Sequence, residues 1–260
     1  MPFLNVSTFY HTFQRGTCAY SELEYTVTKN GVQADIPDTC EASTIEIPGV
    51  EGTYKALQFH IHTSSEHTLD GNRFSAELHT VHKQIDGDRY AVVGMMIQPN
   101  AFEDNEEFAL LLRGWYKREE EVLAACGIAS TSLEAAGAVL SDKLFSPYDL
   151  LPEGHAFYHY DGGLTTPPCS EVVWWNLSDK PVSVSVSQYS ELVQLIRDPD
   201  SCEFLTLASE SGSTSRPVQD LNGREVKRIC PVGFEEDESS AVTLSVSLAA
   251  SVAVMAGFFL

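Results

Sequence analysis

A mostly β single domain with peripheral helices is the fold class this sequence predicts, on three observations. Short segments in which apolar and polar residues alternate recur at 24–27, 56–62, 77–83, 172–177 and 182–186, the period of a strand with one buried face. Turn-forming runs such as Asp70-Gly71-Asn72 and Asp86-Gly87-Asp88 separate several of them. With 260 residues and 43% hydrophobic content, the chain can bury one substantial core, and one large domain is favoured over two.

The elements follow in order. Residues 24–27 open the series of strands. In Leu57-Gln58-Phe59-His60-Ile61-His62 the even positions share one face and Phe59 and Ile61 the other. Residues 77–83 alternate in the same way, with Glu77, His79 and Val81 on one face. The run 90–97 is nearly all apolar and is expected as a central strand buried on both faces. Helices are expected at 102–113 and 119–125, followed by an irregular Ala/Ser-rich excursion over 124–139. A third helix over 187–196 opens at Ser187 and stops at Asp198-Pro199-Asp200. There is no internal repeat.

The formal charge of −21 argues against nucleic-acid binding, which needs a basic footprint. The acidic clusters at 103–107, 119–121 and 235–238 are solvated faces or tail, with no nitrogen ligands near them. Six cysteines, at 18, 40, 126, 169, 202 and 230, include no Cys-x-x-Cys pair, which weakens a cysteine–zinc reading. Cys18–Cys40 and Cys202–Cys230 are candidate local bridges, and spacing leaves the connectivity open. Two sequons, Asn5-Val6-Ser7 and Asn176-Leu177-Ser178, are compatible with a secretory route and oxidised cysteines.

Three histidines carry the most chemistry. His60 and His62 project from one face, and an antiparallel neighbour would bring His79 to the same point. Three protein nitrogens and a vacant fourth position hold a catalytic zinc, whereas structural sites are closed by four ligands. Gln58 and Glu77 share faces with these histidines and are placed to accept their outer ring N–H groups. His67, His82, His155 and His159 are expected as ordinary satisfied polar residues.

Farther along, Leu164-Thr165-Thr166-Pro167-Pro168-Cys169-Ser170-Glu171 follows the turn Asp161-Gly162-Gly163, and its two prolines rigidify a loop. Taken in order, Gln-Phe-His-x-His, Ser-Glu-His-Thr, Ala-Glu-Leu-His-x-Val-His and Leu-Thr-Thr-Pro-Pro-Cys-x-Glu resemble the α-class carbonic anhydrases over residues 20–230, including the later Ser215-Arg216-Pro217-Val218-Gln219.

The resemblance implies a large, mainly antiparallel twisted sheet over residues 1–231, a Zn2+ cofactor, and reversible hydration of carbon dioxide to bicarbonate by zinc-bound hydroxide. It implies His60, His62 and His79 as zinc ligands and Gln58 and Glu77 as their partners. Thr165 is implied as the hydroxyl that orients the nucleophile and donates to Glu66, and Val81, Val92, Leu164, Val173 and Trp175 as the apolar wall for carbon dioxide. Thr166 is implied to line the cavity, and His67 and Tyr160 to form a structural pair. Val32, after Lys29-Asn30-Gly31, aligns with the family's proton-carrying histidine; valine carries no proton, so slow, buffer-dependent proton release is expected. The family's first several dozen residues have no counterpart before Cys18, which would leave Cys169 without its partner.

Residues 232–241 form an acidic, polar spacer and 242–260 an uncharged run long enough to span a bilayer. It resembles a glycolipid-anchor signal after Ser239-Ser240-Ala241, with a tail-anchored helix as the competing reading. Residues 1–16 lack the form of a signal peptide, so an incomplete start is expected, with the outer face of a membrane as the location. The alternative function is a weakly active or inactive cell-surface binding module of the same fold.

Overall fold

The structure, a computed structural model, describes residues 10–28, 31–125, 141–196 and 213–231. The strands are β1 (Thr12–Gln14), β2 (Glu24–Thr28), β3 (Gly31–Asp35), β4 (Thr44–Glu46), β5 (Thr53–Thr63), β6 (Thr68–Leu69) and β7 (Asn72–Arg73). There follow β8 (Ala76–Gln84), β9 (Tyr90–Ala101), β10 (Phe157–Gly162), β11 (Val173–Ser178), β12 (Val182–Ser185) and β13 (Lys227–Ile229). Helix α1 spans Glu106–Ala125 and α2 spans Val186–Leu195. Eleven strands form one sheet, with the path β1-β4-β5-β8-β9-β11-β10-β13, β3 on β5, β2 on β3, and β12 on β9; β6 and β7 make a separate hairpin. Pairing is antiparallel except that β11 and β12 run parallel to β9. The mostly β expectation therefore holds, with a mixed centre.

The sheet has two faces because its long strands alternate. Phe59, Ile61, Leu78, Val93 and Met95 belong to the main core. Helix α1 covers that core with Phe108, Leu111, Leu112 and Trp115, all buried, at the i, i+3, i+4, i+7 spacing of one helical face. Phe59 meets Trp115 edge-on at 5.9 Å and stacks on Phe145 at 4.9 Å. Each such burial contributes about 1.5–3 kcal/mol. The opposite face carries the histidines and a second apolar cluster of Val92, Val173, Trp175 and Leu177.

Several local expectations need correction. The helices expected at 102–113 and 119–125 are one helix. It begins after Asn105, whose Oδ1 accepts the Phe108 amide at 3.0 Å, an N-cap that leaves Phe102 fully exposed outside it. Gly114, inside this helix, fits because the Tyr25 ring occupies the space of a Cβ. Helix α2 is capped by Ser185, not Ser187. Ser185 Oγ accepts the Gln188 amide at 3.1 Å and Gln188 Oε1 accepts the Ser185 amide at 3.2 Å, a reciprocal box. Cys18 and Cys40 form a disulfide, whose 22-residue separation corresponds to roughly 3 kcal/mol of loop-closure stabilisation. Cys169 is exposed and unpaired. Cys126, Cys202, Asn5, residues 126–139 and the tail lie outside the described residues, among which no helix is long and apolar enough to cross a membrane.

Candidate metal centre

Register brings the three histidines together. In the β5–β8 pair His60 lies opposite His79 and His62 opposite Glu77, so all four side chains leave the same face. His60 Nδ1 bonds Gln58 Oε1 at 2.9 Å, and His79 Nε2 bonds Glu77 Oε1 at 2.8 Å. Both acceptors are oxygens, so these nitrogens carry the protons, and His60 Nε2 and His79 Nδ1 are left as lone pairs. Those two nitrogens face each other at 3.2 Å, where neither has a proton to share. His62 Nε2 is buried with no hydrogen-bond partner among the described residues. One donor atom from each histidine lies within 4.8 Å of the others. Tetrahedral Zn–N bonds of about 2.0–2.1 Å put ligand nitrogens roughly 3.3 Å apart, so the donor set fits zinc. Burial, then the neighbouring histidines, holds the His60 imidazole well below its ordinary pKa. Burial and His79 lower His62 to about 4. Neutral imidazoles are the form that ligates metal.

Glu77 anchors this arrangement. Its Oε2 accepts the Glu66 and His67 amides, each at 2.8 Å, and its Oε1 also meets His67 Nδ1 at 2.6 Å. Its complete burial opposes ionisation, yet His67 and His79 hold its carboxyl well below the usual range. His67 Nε2 reaches the Tyr160 hydroxyl at 2.5 Å, so His67 has a structural pairing. Gly94 lies opposite His79 on β9, a position the motifs leave unmarked. A Cβ there would run into Leu177 and lie 3.3 Å from Glu77 Oε1. A glycine inside a strand is the signal for such a close approach.

The apolar side is assembled from neighbouring strands. Val81 lies opposite Val92 and Val92 beside Trp175, and Val81, Leu164, Val173 and Trp175 belong with Val92 to one cluster. The indole of Trp175 donates to Gly163 O at 3.0 Å and its ring lies 4.9 Å from that of His79. The 163–170 loop is closed by Leu164 N→Ser170 O at 3.0 Å and Cys169 N→Thr166 O at 2.9 Å. Thr166 is exposed. A cavity of about 800 Å³ is lined by Glu66, Leu164, Thr165, Tyr160, Trp175 and Arg216 among others, without the three histidines. It adjoins their site on the Glu66 side.

Two expected features differ. Thr165 and Glu66 line that cavity together but are not hydrogen-bonded. Glu66 Oε1 accepts the Arg216 amide at 3.0 Å, while Oε2 is buried without a partner among the described residues and lies 3.7 Å from His62 Nε2. The loop holding Thr165 stops short of the carboxylate. Val32, expected at the proton-transfer position, is fully buried in the main core opposite Ile61. Strand alternation sends it to the far face and puts Gln33, opposite His60, on the histidine face. Asn30 lies outside the described residues. Asn176 of the second sequon is fully buried and accepts from His11 and His159 at 2.8 and 2.9 Å, so it is no open glycan acceptor.

Comparison with known proteins agrees with this geometry. The family described as eukaryotic-type carbonic anhydrase matches residues 8–230. A carbonic anhydrase of Nostoc sp. is 31% identical over 66% of this chain, which spans 53% of that protein. Human carbonic anhydrase 3 is 29% identical over 78% of the chain and 76% of its own length. Among solved structures, a Chlamydomonas reinhardtii carbonic anhydrase in complex with acetazolamide aligns with a TM-score of 0.61 at 27% identity, covering 88% of this chain and 85% of that one.

Proposed function

This chain belongs to the eukaryotic-type carbonic anhydrase family, and we propose that it catalyses the reversible hydration of carbon dioxide with zinc held by His60, His62 and His79. The observation that carries this reading is the pair of lone-pair nitrogens at 3.2 Å, with His62 Nε2 unpartnered beside them. Zinc bound there supplies the charge that lets a coordinated water ionise near pH ~7.

The protein's own residues do the rest. Gln58 and Glu77 fix the ring orientations and tautomers of His60 and His79. Val81, Val92, Leu164, Val173 and Trp175 offer a nonpolar substrate a water-poor wall and give an anionic product no partner. Glu66 and Thr165 orient the nucleophile once the Thr165 hydroxyl reaches Glu66 Oε2; Thr166, exposed and outside the cavity lining, takes no part. Val32 is buried and Gln33 does not titrate, so a proton leaves slowly, with help from buffer. The Cys18–Cys40 disulfide supports an oxidising compartment, and the uncharged run 242–260 supports attachment to the outer face of a membrane by a glycolipid anchor or single helix.

A second reading, a weakly active or inactive binding module, is favoured by the unformed Thr165–Glu66 bond. Stopped-flow hydration assays on protein stripped with chelator and reloaded with zinc decide between them. Activity that disappears with the metal, returns with one zinc per chain and does not return in His62→Ala supports the enzyme. One tightly bound zinc without hydration supports the module.

A further inference from the structure

Only three residues separate His62 from Glu66, and this short link is held by a second segment rather than by itself. Thr63 N donates to Thr214 Oγ1 at 3.1 Å and Ser64 N to Ser213 Oγ at 3.4 Å. The Thr214 amide returns a bond to Thr63 O. The same segment ends at Arg216, whose amide holds Glu66 Oε1. Ser65 is fully buried and satisfied on every side: its amide donates to Phe74 O, its hydroxyl donates to His67 O and accepts the Phe74 amide. Its carbonyl is taken by a side chain from the hairpin strand β7. Arg73 Nη1 lies 2.5 Å from Ser65 O and 3.1 Å from Ser215 Oγ.

We propose that Arg73 is a positioning residue for Glu66: its guanidinium clamps Ser65 to Ser215, and so holds together the two backbone segments that aim the Glu66 carboxylate. This rests on the reading of Glu66 as the group that orients the nucleophile. Each acceptor is the chain neighbour of one end of the Glu66–Arg216 contact, Ser65 beside Glu66 and Ser215 beside Arg216. A cationic donor makes stronger bonds than a neutral one. Displacing a catalytic group by about 1 Å is enough to cost on the order of 100-fold in rate, so a residue remote from substrate can act this way.

The test pairs kinetics with backbone amide exchange on the full chain. In Arg73→Ala, kcat is expected to fall about tenfold with KM and zinc content unchanged, and the Arg216 amide to exchange at least tenfold faster. Arg73→Lys, which retains a cationic donor but places it on a shorter stem than Nη1, should fall between. Arg73→Gln, which keeps a neutral donor on a shorter stem, should give a smaller change in the same direction and serves if Arg73→Ala does not fold. Arg118→Ala, on the far surface of α1, is the control. Unchanged Arg216 exchange, or a loss of activity that only tracks the folded fraction, overturns the proposal. If the zinc-loaded wild type hydrates no carbon dioxide, the functional reading fails, while amide exchange still decides whether Arg73 clamps the two segments.

Discussion

The histidine face of β5 and β8 and the loop from Gly163 to Glu171 were both legible as motifs, but the folded chain treats them differently. On the strands two of the three rings have a partner: Gln58 takes His60, and Glu77 takes His79 together with His67 and two amides, while His62 has none among the described residues. On the loop, Thr165 faces the same cavity as Glu66 without bonding it. A strand pair sets side-chain direction by its period of two, and one register error would turn all of them away. A loop carries no such rule, and its reach depends on what packs behind it. Here an 800 Å³ cavity lies between the loop, the β6–β7 hairpin and residues 216–226, so little packing drives Thr165 onto Glu66.

The sharpest way to break this comparison is Thr165→Ala. Glu66 Oε2 is buried and unpartnered, a state that costs about 1–3 kcal/mol and that an arriving hydroxyl would relieve. We therefore expect the loop to close in the working enzyme and kcat to drop on the order of 100-fold in the variant, measured by stopped-flow with zinc content held equal. Turnover equal to wild type would mean that the loop stays as it is and that the strand face acts without it.

Glu77→Gln probes the other side. Its two carboxylate oxygens face four donors, and an amide can offer an oxygen to only some of them. Zinc affinity should weaken roughly 10–100-fold, read by competition with a chromophoric chelator. Unchanged affinity would show that the histidines are held by backbone register alone.

How much was legible follows from the same contrast. The histidine trio, its two partners and most of the apolar wall could be drawn from alternation and motif order, because all of them but Leu164 sit on strands. Boundaries set by single hydrogen bonds could not: Asn105 starts α1 and Ser185 starts α2, and neither stands out among neighbouring polar residues. Gly94 carries a signal, a glycine in an apolar strand, that marks a close approach. Arg73 carried none, since its farther partner Ser215 lies 142 residues away along the chain and meets it only after folding.

Val32 is the instructive position, because motif alignment and strand geometry disagree there. Alignment after Asn30-Gly31 puts it at the proton-transfer position, while pairing with Ile61 buries it completely in the main core. If the pairing is decisive, Val32→His gains no proton relay. It buries a polar ring without a partner, lowering stability by about 1–3 kcal/mol, a Tm drop of roughly 2–10 °C. Gln33→His, half-buried on the histidine face opposite His60, should leave Tm nearly unchanged and speed proton release several-fold in dilute buffer, because imidazole titrates near neutrality. Oxygen-18 exchange at low buffer measures that release separately from hydration. Faster release in Val32→His and none in Gln33→His would put the β3 register off by one residue, and with it the assumption that strand period outranks motif position.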